Sequence, residues 1–168
     1  MALLTPEAIL RQIDSLYAAD YATALAAVQA KWLATEDIEL NNFEFRRISA
    51  DPNTTAVIKQ YPALMISMGN IVSIPAQTQM YQNLYDMEVE CLYFLRGQDD
   101  HQIGIILARH IEATMDFFKE NPRLGYDRET VITGLRFEPS ANVIPGSGNT
   151  MVKGLRVSFN VRFMQYGA

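Results

Sequence analysis

The chain reads as an α+β domain: a mostly antiparallel β-sheet flanked by an N-terminal helix and a central helix, with a long C-terminal β-hairpin. Three observations predict this. Residues 85–91 alternate apolar and polar side chains (Tyr85, Met87, Val89 and Cys91 against Asp86, Glu88 and Glu90). Residues 155–163 do the same, with Leu155, Val157, Phe159, Val161 and Phe163 on one parity. A period of two belongs to a strand with one face on a core and the other exposed. Between these stretches, residues 98–121 carry apolar side chains at helical spacing. Strand, helix, strand, loop and strand thus follow one another over residues 85–166, an order that specifies architecture rather than activity.

Taken in order, Thr5-Pro6-Glu7 is a helix start. Thr5 can cap free amides, Pro6 suits the first turn and Glu7 complements the dipole. Ile9, Ile13, Leu16, Tyr17, Tyr21, Leu25, Val28 and Trp32 then recur on one face. They predict one long amphipathic helix, or two joined near Asp20, which could cap the second. Residues 43–48 suggest a short strand, and Ser49 to Thr54 is turn chemistry. Tyr61-Pro62 ends that region, and residues 63–68 read as a buried strand. Gly69-Asn70 allows a turn or bulge before residues 71–74, and Pro75 limits pairing there.

Residues 81–96 are the longest strand candidate. Its second half, Leu92-Tyr93-Phe94-Leu95, is apolar on both parities. That predicts cover on both sides, by a helix on one and another subunit on the other. Gly97-Gln98-Asp99-Asp100 turns the chain into the central helix. Ile103, Ile106, Leu107, His110, Ile111, Thr114, Met115 and Phe118 are expected on its inner face. Asn121-Pro122 stops it, because proline cannot continue the ladder. Residues 130–138 form the next strand, with Val131, Thr133, Leu135 and Phe137 expected on one face. Residues 139–149, rich in Gly, Pro, Ser and Asn, read as a long mobile loop before the final strand, 151–166.

A chain of 168 residues, 49% apolar and 20% charged, fits one globular domain spanning 1–168. Its net charge of −5 gives no general basic surface for a polyanion. The single Cys91 cannot form an intramolecular disulfide and sits on an apolar strand face, as a small core residue does. Met1-Ala2-Leu3-Leu4 carries no basic residue, so a signal peptide is not expected, and no apolar run approaches the roughly 20 residues a membrane helix needs. A protein of the reducing cytoplasm is expected.

Catalytic and ligand chemistry is thinly represented. His101 and His110 stand nine residues apart on one helix, which places them about 180° apart around its axis. They cannot share a metal there. His101 is expected in solvent and His110 at the core edge. Gly146-Ser147-Gly148 lacks the Lys-Ser/Thr of a phosphate loop and its strand-to-helix setting. Glu88, Glu90, Asp99 and Asp100 read as solvated carboxylates, and Arg46-Arg47 as surface charge. No cofactor, metal or catalytic residue is expected. The aromatic and methionine residues at strand ends are the better candidates for subunit or partner contacts, since such residues are enriched at interfaces. They are Phe43, Phe45, Met80, Tyr81 and Tyr85, with Pro139, Asn142, Ile144, Pro145 and Asn149 from the loop.

The segment order resembles the tail terminator (tail completion) proteins of tailed bacteriophages. The likeness runs from the N-terminal helix through Tyr61-Pro62-Ala63-Leu64-Met65-Ile66 and the strand at 85–96. It continues with the helix Ile103 to Phe118, the ending Asn121-Pro122-Arg123-Leu124-Gly125 and the C-terminal hairpin. The resemblance implies a virion structural protein of the tail and neck, assembled in the host cytoplasm. It implies a homo-hexameric ring that caps the tail tube, stops its elongation and joins the tail to the head connector. Its expected partners are the tail tube protein, the connector or stopper and, in contractile tails, the sheath. DNA would pass through the lumen without specific binding, and a negatively charged chain suits that passage because a basic lumen would hold phosphates. No active site is carried over. Another head-tail connector component, such as a stopper, is the nearest alternative reading. A small-ligand enzyme on the same sheet is the more distant one.

Overall fold

The computed structural model describes residues 4–49, 58, 60–75, 82–126, 130–145 and 150–166, with the backbone alone at 82, 141–145, 165 and 166. Helix α1 spans Pro6–Ala19 and helix α2 spans Tyr21–Trp32. Strand β1 (Phe45–Ser49) and strand β2 (Ala63–Ile74) follow, then strand β3 (Gln82–Gly97) and helix α3 (Asp100–Glu120). Strands β4 (Thr130–Pro145) and β5 (Met151–Tyr166) complete a five-stranded sheet of order β1-β2-β3-β5-β4. All neighbouring strands are antiparallel except β1 and β2, which run parallel. The fold is α+β, as the periodicities predict.

The local chemistry of the helix ends follows the sequence. Thr5 accepts a hydrogen bond from the Ala8 amide at 3.2 Å and begins α1. The apolar stripe expected across both N-terminal helices is buried at Ile9, Ile13, Tyr17, Tyr21, Leu25 and Val28. The helices separate at Asp20, whose side chain makes no capping hydrogen bond to α2. Asp99 accepts from the Gln102 amide at 2.6 Å and starts α3. Gly97 makes that turn possible, because a Cβ there would lie 2.9 Å from the Ile103 Cβ. At the other end, Asn121 returns a side-chain bond to the Phe117 carbonyl, and Leu124 and Gly125 adopt φ of 52° and 75°. The left-handed turn drives the Leu124 side chain into the core, where it is fully buried.

The three helices lie on one face of the sheet. Alternate residues of the central strands meet them: Met87, Val89, Cys91, Tyr93 and Leu95 of β3, and Leu155, Val157, Phe159, Val161 and Phe163 of β5. These are the parities that alternation predicted for both strands. Cys91 is fully buried, as expected, and burial pushes its thiol up to about 12. The Gly69-Asn70 bulge is also present, where β2 gains one residue against β3 between Met68 and Ile71.

Four expectations need correction. Residues 139–145 are not loop: β4 continues to Pro145, paired with Met151. The prolines mislead because β4 is the outermost strand, where a missing N–H removes no ladder bond. Val131, Thr133, Leu135 and Phe137 do not share a face. A bulge at Gly134 (φ 68°) inserts one residue, so Ile132 packs on the core before it and Leu135 and Phe137 after it. Phe43 lies before β1 rather than within it. On α3, Met115 is 54% exposed while Arg109, Ala113 and Phe117 are buried.

Candidate functional site

Two regions of the molecule carry unusual chemistry. The first lies between the helices and the sheet, where Tyr17, Tyr21, Tyr93, Phe43, Phe117 and His110 form one buried aromatic cluster. Its hydroxyls are linked. The Tyr17 and Tyr93 oxygens are 2.6 Å apart, and Tyr93 lies 2.9 Å from Thr114 Oγ1. Tyr21 lies 3.2 Å from the same oxygen and 3.0 Å from His110 Nδ1, while Thr114 donates to the His110 carbonyl at 2.7 Å.

One arrangement of hydrogens satisfies every donor. His110 Nδ1–H donates to Tyr21, and Tyr21 and Tyr93 both donate to Thr114. Tyr17 donates to Tyr93, and Thr114 closes the chain on the carbonyl. His110 Nε2 is then a bare acceptor with no partner, cheaper to bury than an unmet donor because it carries no proton to desolvate. Burial lowers the His110 pKa to about 3, so the ring is neutral. Burial, above all, also raises Tyr17, Tyr21 and Tyr93. His110 is therefore a core histidine in full, deeper than the edge position its helix spacing suggested. The cluster has the chemistry of a structural lock. It ties α1, α2, α3 and β3 together through hydroxyls that have no contact with solvent.

The second region is the sheet face opposite the helices, where cross-strand pairing sets out clear rows. Val72, Asp86, Arg162 and Val131 form one, and Glu88, Asn160 and Thr133 the next. Glu90 and Ser158 align with Arg136, and Met65 and Leu92 with Arg156 and Glu138. Arg162 binds Asp86 at 3.3 Å, and Arg156 lies 4.0 Å from Glu90 and 3.8 Å from Glu138. Asp86 Oδ1 and Glu90 Oε2 are shielded from solvent yet accept no hydrogen bond. Asp86, Glu88 and Glu90 of β3 face arginines of β4 and β5, with Glu138 adding a carboxylate on β4.

Exposed apolar side chains collect at the two margins. On the β2 side these are Met68 (40%), Ile71 (39%) and Val72 (58%). On the β4 side, Val131 is 39% exposed, and a groove of about 520 Å³ runs between α3 and β4, lined by Met115, Phe118, Ile132 and Leu135 among others.

The residues proposed from sequence are not brought together as one patch. Phe43 is consumed by the core, 4% exposed and stacked on Tyr21. Phe45 is half-buried on β1. Tyr85 is half-buried and stacks on Phe163 at 5.5 Å. Pro139 is exposed on the outer strand. Asn142, Ile144 and Pro145 lie in β4 with side chains outside the described set, and Met80, Tyr81 and Asn149 fall outside the described residues. Met68, Ile71, Val72 and Val131 were not singled out from sequence. The alternation that would have exposed them is broken by the bulges at residues 69–70 and 134.

His101 is on the surface, its Nε2 3.4 Å from Glu36. Among the described residues, no group of three His, Cys, Asp or Glu could hold a metal ion, and no helix is long and apolar enough to cross a membrane. No protein-family model matches this chain, and no curated protein matches it.

Proposed function

We propose that this chain is a phage neck and tail protein of the tail terminator kind, a subunit of a hexameric ring that caps the tail tube, stops its elongation and joins the tail to the head connector. On this reading it acts by shape, and no bond is made or broken. The observation that carries the reading is a one-sided sheet whose two margins are unlike. Apolar strand ends lie at the β2 side, and an apolar groove lies at the β4 side. A ring repeats one contact between two different surfaces around an axis, and two different surfaces on opposite sides of a subunit suit that. The order of helices, strands and hairpin along the chain supports the family, and the net charge of −5 suits a lumen that lets DNA slide.

The test is particle size in solution across a wide concentration range, followed by electron microscopy with tubes assembled from a phage tail tube protein. Rings of six that seat on tube ends are expected. A strict monomer at high concentration, with no ring on added tubes, would count decisively against the proposal. Rings found on the head side of the neck, away from the tube, would assign the chain to the stopper role instead.

A further inference from the structure

We infer that the free chain pairs with a second copy through α3, the two helices packing antiparallel about a dyad level with the Arg109–His110 peptide. The observation behind this is a second apolar stripe on α3. The inner face, with Ile103, Ile106, Ala113 and Phe117, is spent on the core. Gly104, Ala108, Ile111 and Met115 form another line, in steps of four, three and four residues, the spacing at which one helix seats on another. Gly104, Ala108 and Met115 are exposed, and Ile111 is half-buried. The stripe is roughly 16 Å long. It runs into the α3–β4 groove, which Met115 lines together with Phe118, Ile132 and Leu135.

Gly104 points to close approach by another backbone. A Cβ on Gly97 would strike Ile103, whereas one on Gly104 would meet nothing within 4 Å. Glycine in an exposed helix interior weakens the helix relative to alanine. Among the described residues, nothing uses the space it leaves. Helix axes come nearest where the side chains between them are small.

The occupant that fits is α3 itself. Reversed, the stripe complements its own sizes. Gly104 faces Met115 of the second copy and Ala108 faces Ile111, so every layer joins one small and one large side chain. The dyad makes each of these contacts twice. Charge agrees with the reversed direction. Asp100 stands in the first turn and Lys119 in the last, each within about 50° of the stripe around the helix. In the pair, each Asp100 comes level with Lys119 of the other copy. Among the described residues, neither is held in an ion pair within its own chain. Antiparallel helices also set each positive end beside a negative one. The contact does not rest on the ring reading, since a dyad by itself closes only a pair. Met115 also lines the groove invoked for the ring, so pairing and ring closure compete for that margin.

Cysteine cross-linking and a size exchange test the pair. Gly104→Cys with Met115→Cys puts thiols at the two ends of the stripe, roughly 16 Å apart within one helix, too far for an internal disulfide. Across the pair they face each other. Under oxidation the double variant is expected to give a covalent dimer and nothing larger. Each single variant should stay unlinked, because its thiol lies a stripe's length from its own copy. Cys91 is fully buried and does not compete. Gly104→Leu should raise the melting temperature through better helix propensity, yet weaken pairing about tenfold by overpacking the contact. Adding Met115→Ala should restore the pairing. Sedimentation from about 1 µM to about 1 mM reads the association. A wild-type chain that stays monomeric throughout would overturn the inference. So would a pair that ignores Gly104→Leu and fails to link through the double variant. A chain that pairs but never seats on tail tubes would keep this contact and remove the ring. One that is monomeric alone yet forms rings on tubes would do the reverse.

Discussion

The two faces of the sheet are made by the same strands with the same alternation, yet they dispose of polar atoms differently. On the helix side, four hydroxyls and the His110 Nδ1 atom satisfy one another inside a closed aromatic cluster, with His110 Nε2 left as a bare acceptor. On the open side, Asp86 and Glu90 hold shielded oxygens without hydrogen bonds, beside arginines shared between strands. A polar group enclosed away from water must find its partner within the fold or lose about 1–3 kcal/mol. The contrast separates the residues that close the helix-side core from those on the face the helices leave open.

The largest effect should come from opening the covered face. Phe117→Ala removes a ring packed on Tyr17, Tyr21 and Phe118. Chemical denaturation should show a loss of about 3–5 kcal/mol. A loss below about 1 kcal/mol would mean that the cluster is not the centre of the core.

Acid tests the same face through His110. Its folded pKa of about 3 lies below the ordinary 6.5, so the unfolded chain takes up a proton that the native chain refuses. The stability this neutral ring contributes is fully present above pH 6.5 and is lost as pH falls towards 3. Between pH 6.5 and 5, where carboxylates barely titrate, the loss should be about 1–2 kcal/mol. His110→Phe keeps a planar ring and lets Tyr21 donate to Thr114, and its stability should be flat over that window. An identical slope in both proteins would place the proton uptake elsewhere.

Tyr21→Phe is a smaller probe. It deletes one hydroxyl from the linked set and leaves the His110 Nδ1–H unpartnered, for an expected cost of about 1–2 kcal/mol in thermal or denaturant unfolding. The open face should be least sensitive. Arg162→Ala breaks a half-exposed pair with Asp86, and a loss of less than about 1 kcal/mol of stability should follow. A larger loss there would erase the distinction between the two faces.

Much of the fold was legible because burial repeats along a strand or helix. The parities of 85–91 and 155–163 and the stripe from Ile9 to Val28 all appear where the spacing places them. Composition misled at β4. Pro139 and Pro145 read as loop because a central strand could not hold them, and only strand order shows that β4 is at the edge. The bulge at Gly134 likewise moved Val131 and Thr133 to the outside, although the letters alternate without interruption. His110 lay on the expected face of α3, but its depth depends on Tyr21, Phe43 and Tyr93 from three other segments. Among the candidate contact residues, Phe43 was spent on that same cluster, while Phe45, Tyr85 and Pro139 kept some exposure.

Sequence by itself determined the helices, β2, β3, β5 and the first part of β4, and which side chains of β3, β5, α1 and α2 face inward, because those properties follow from periodicity over a few residues. Tertiary structure alone decided which strands stand at the margins, that β1 stops short along β2, and that Ile71 and Ile132 share a row. Such facts depend on pairing between segments far apart in the chain, and no local pattern encodes the order in which distant strands come to lie side by side.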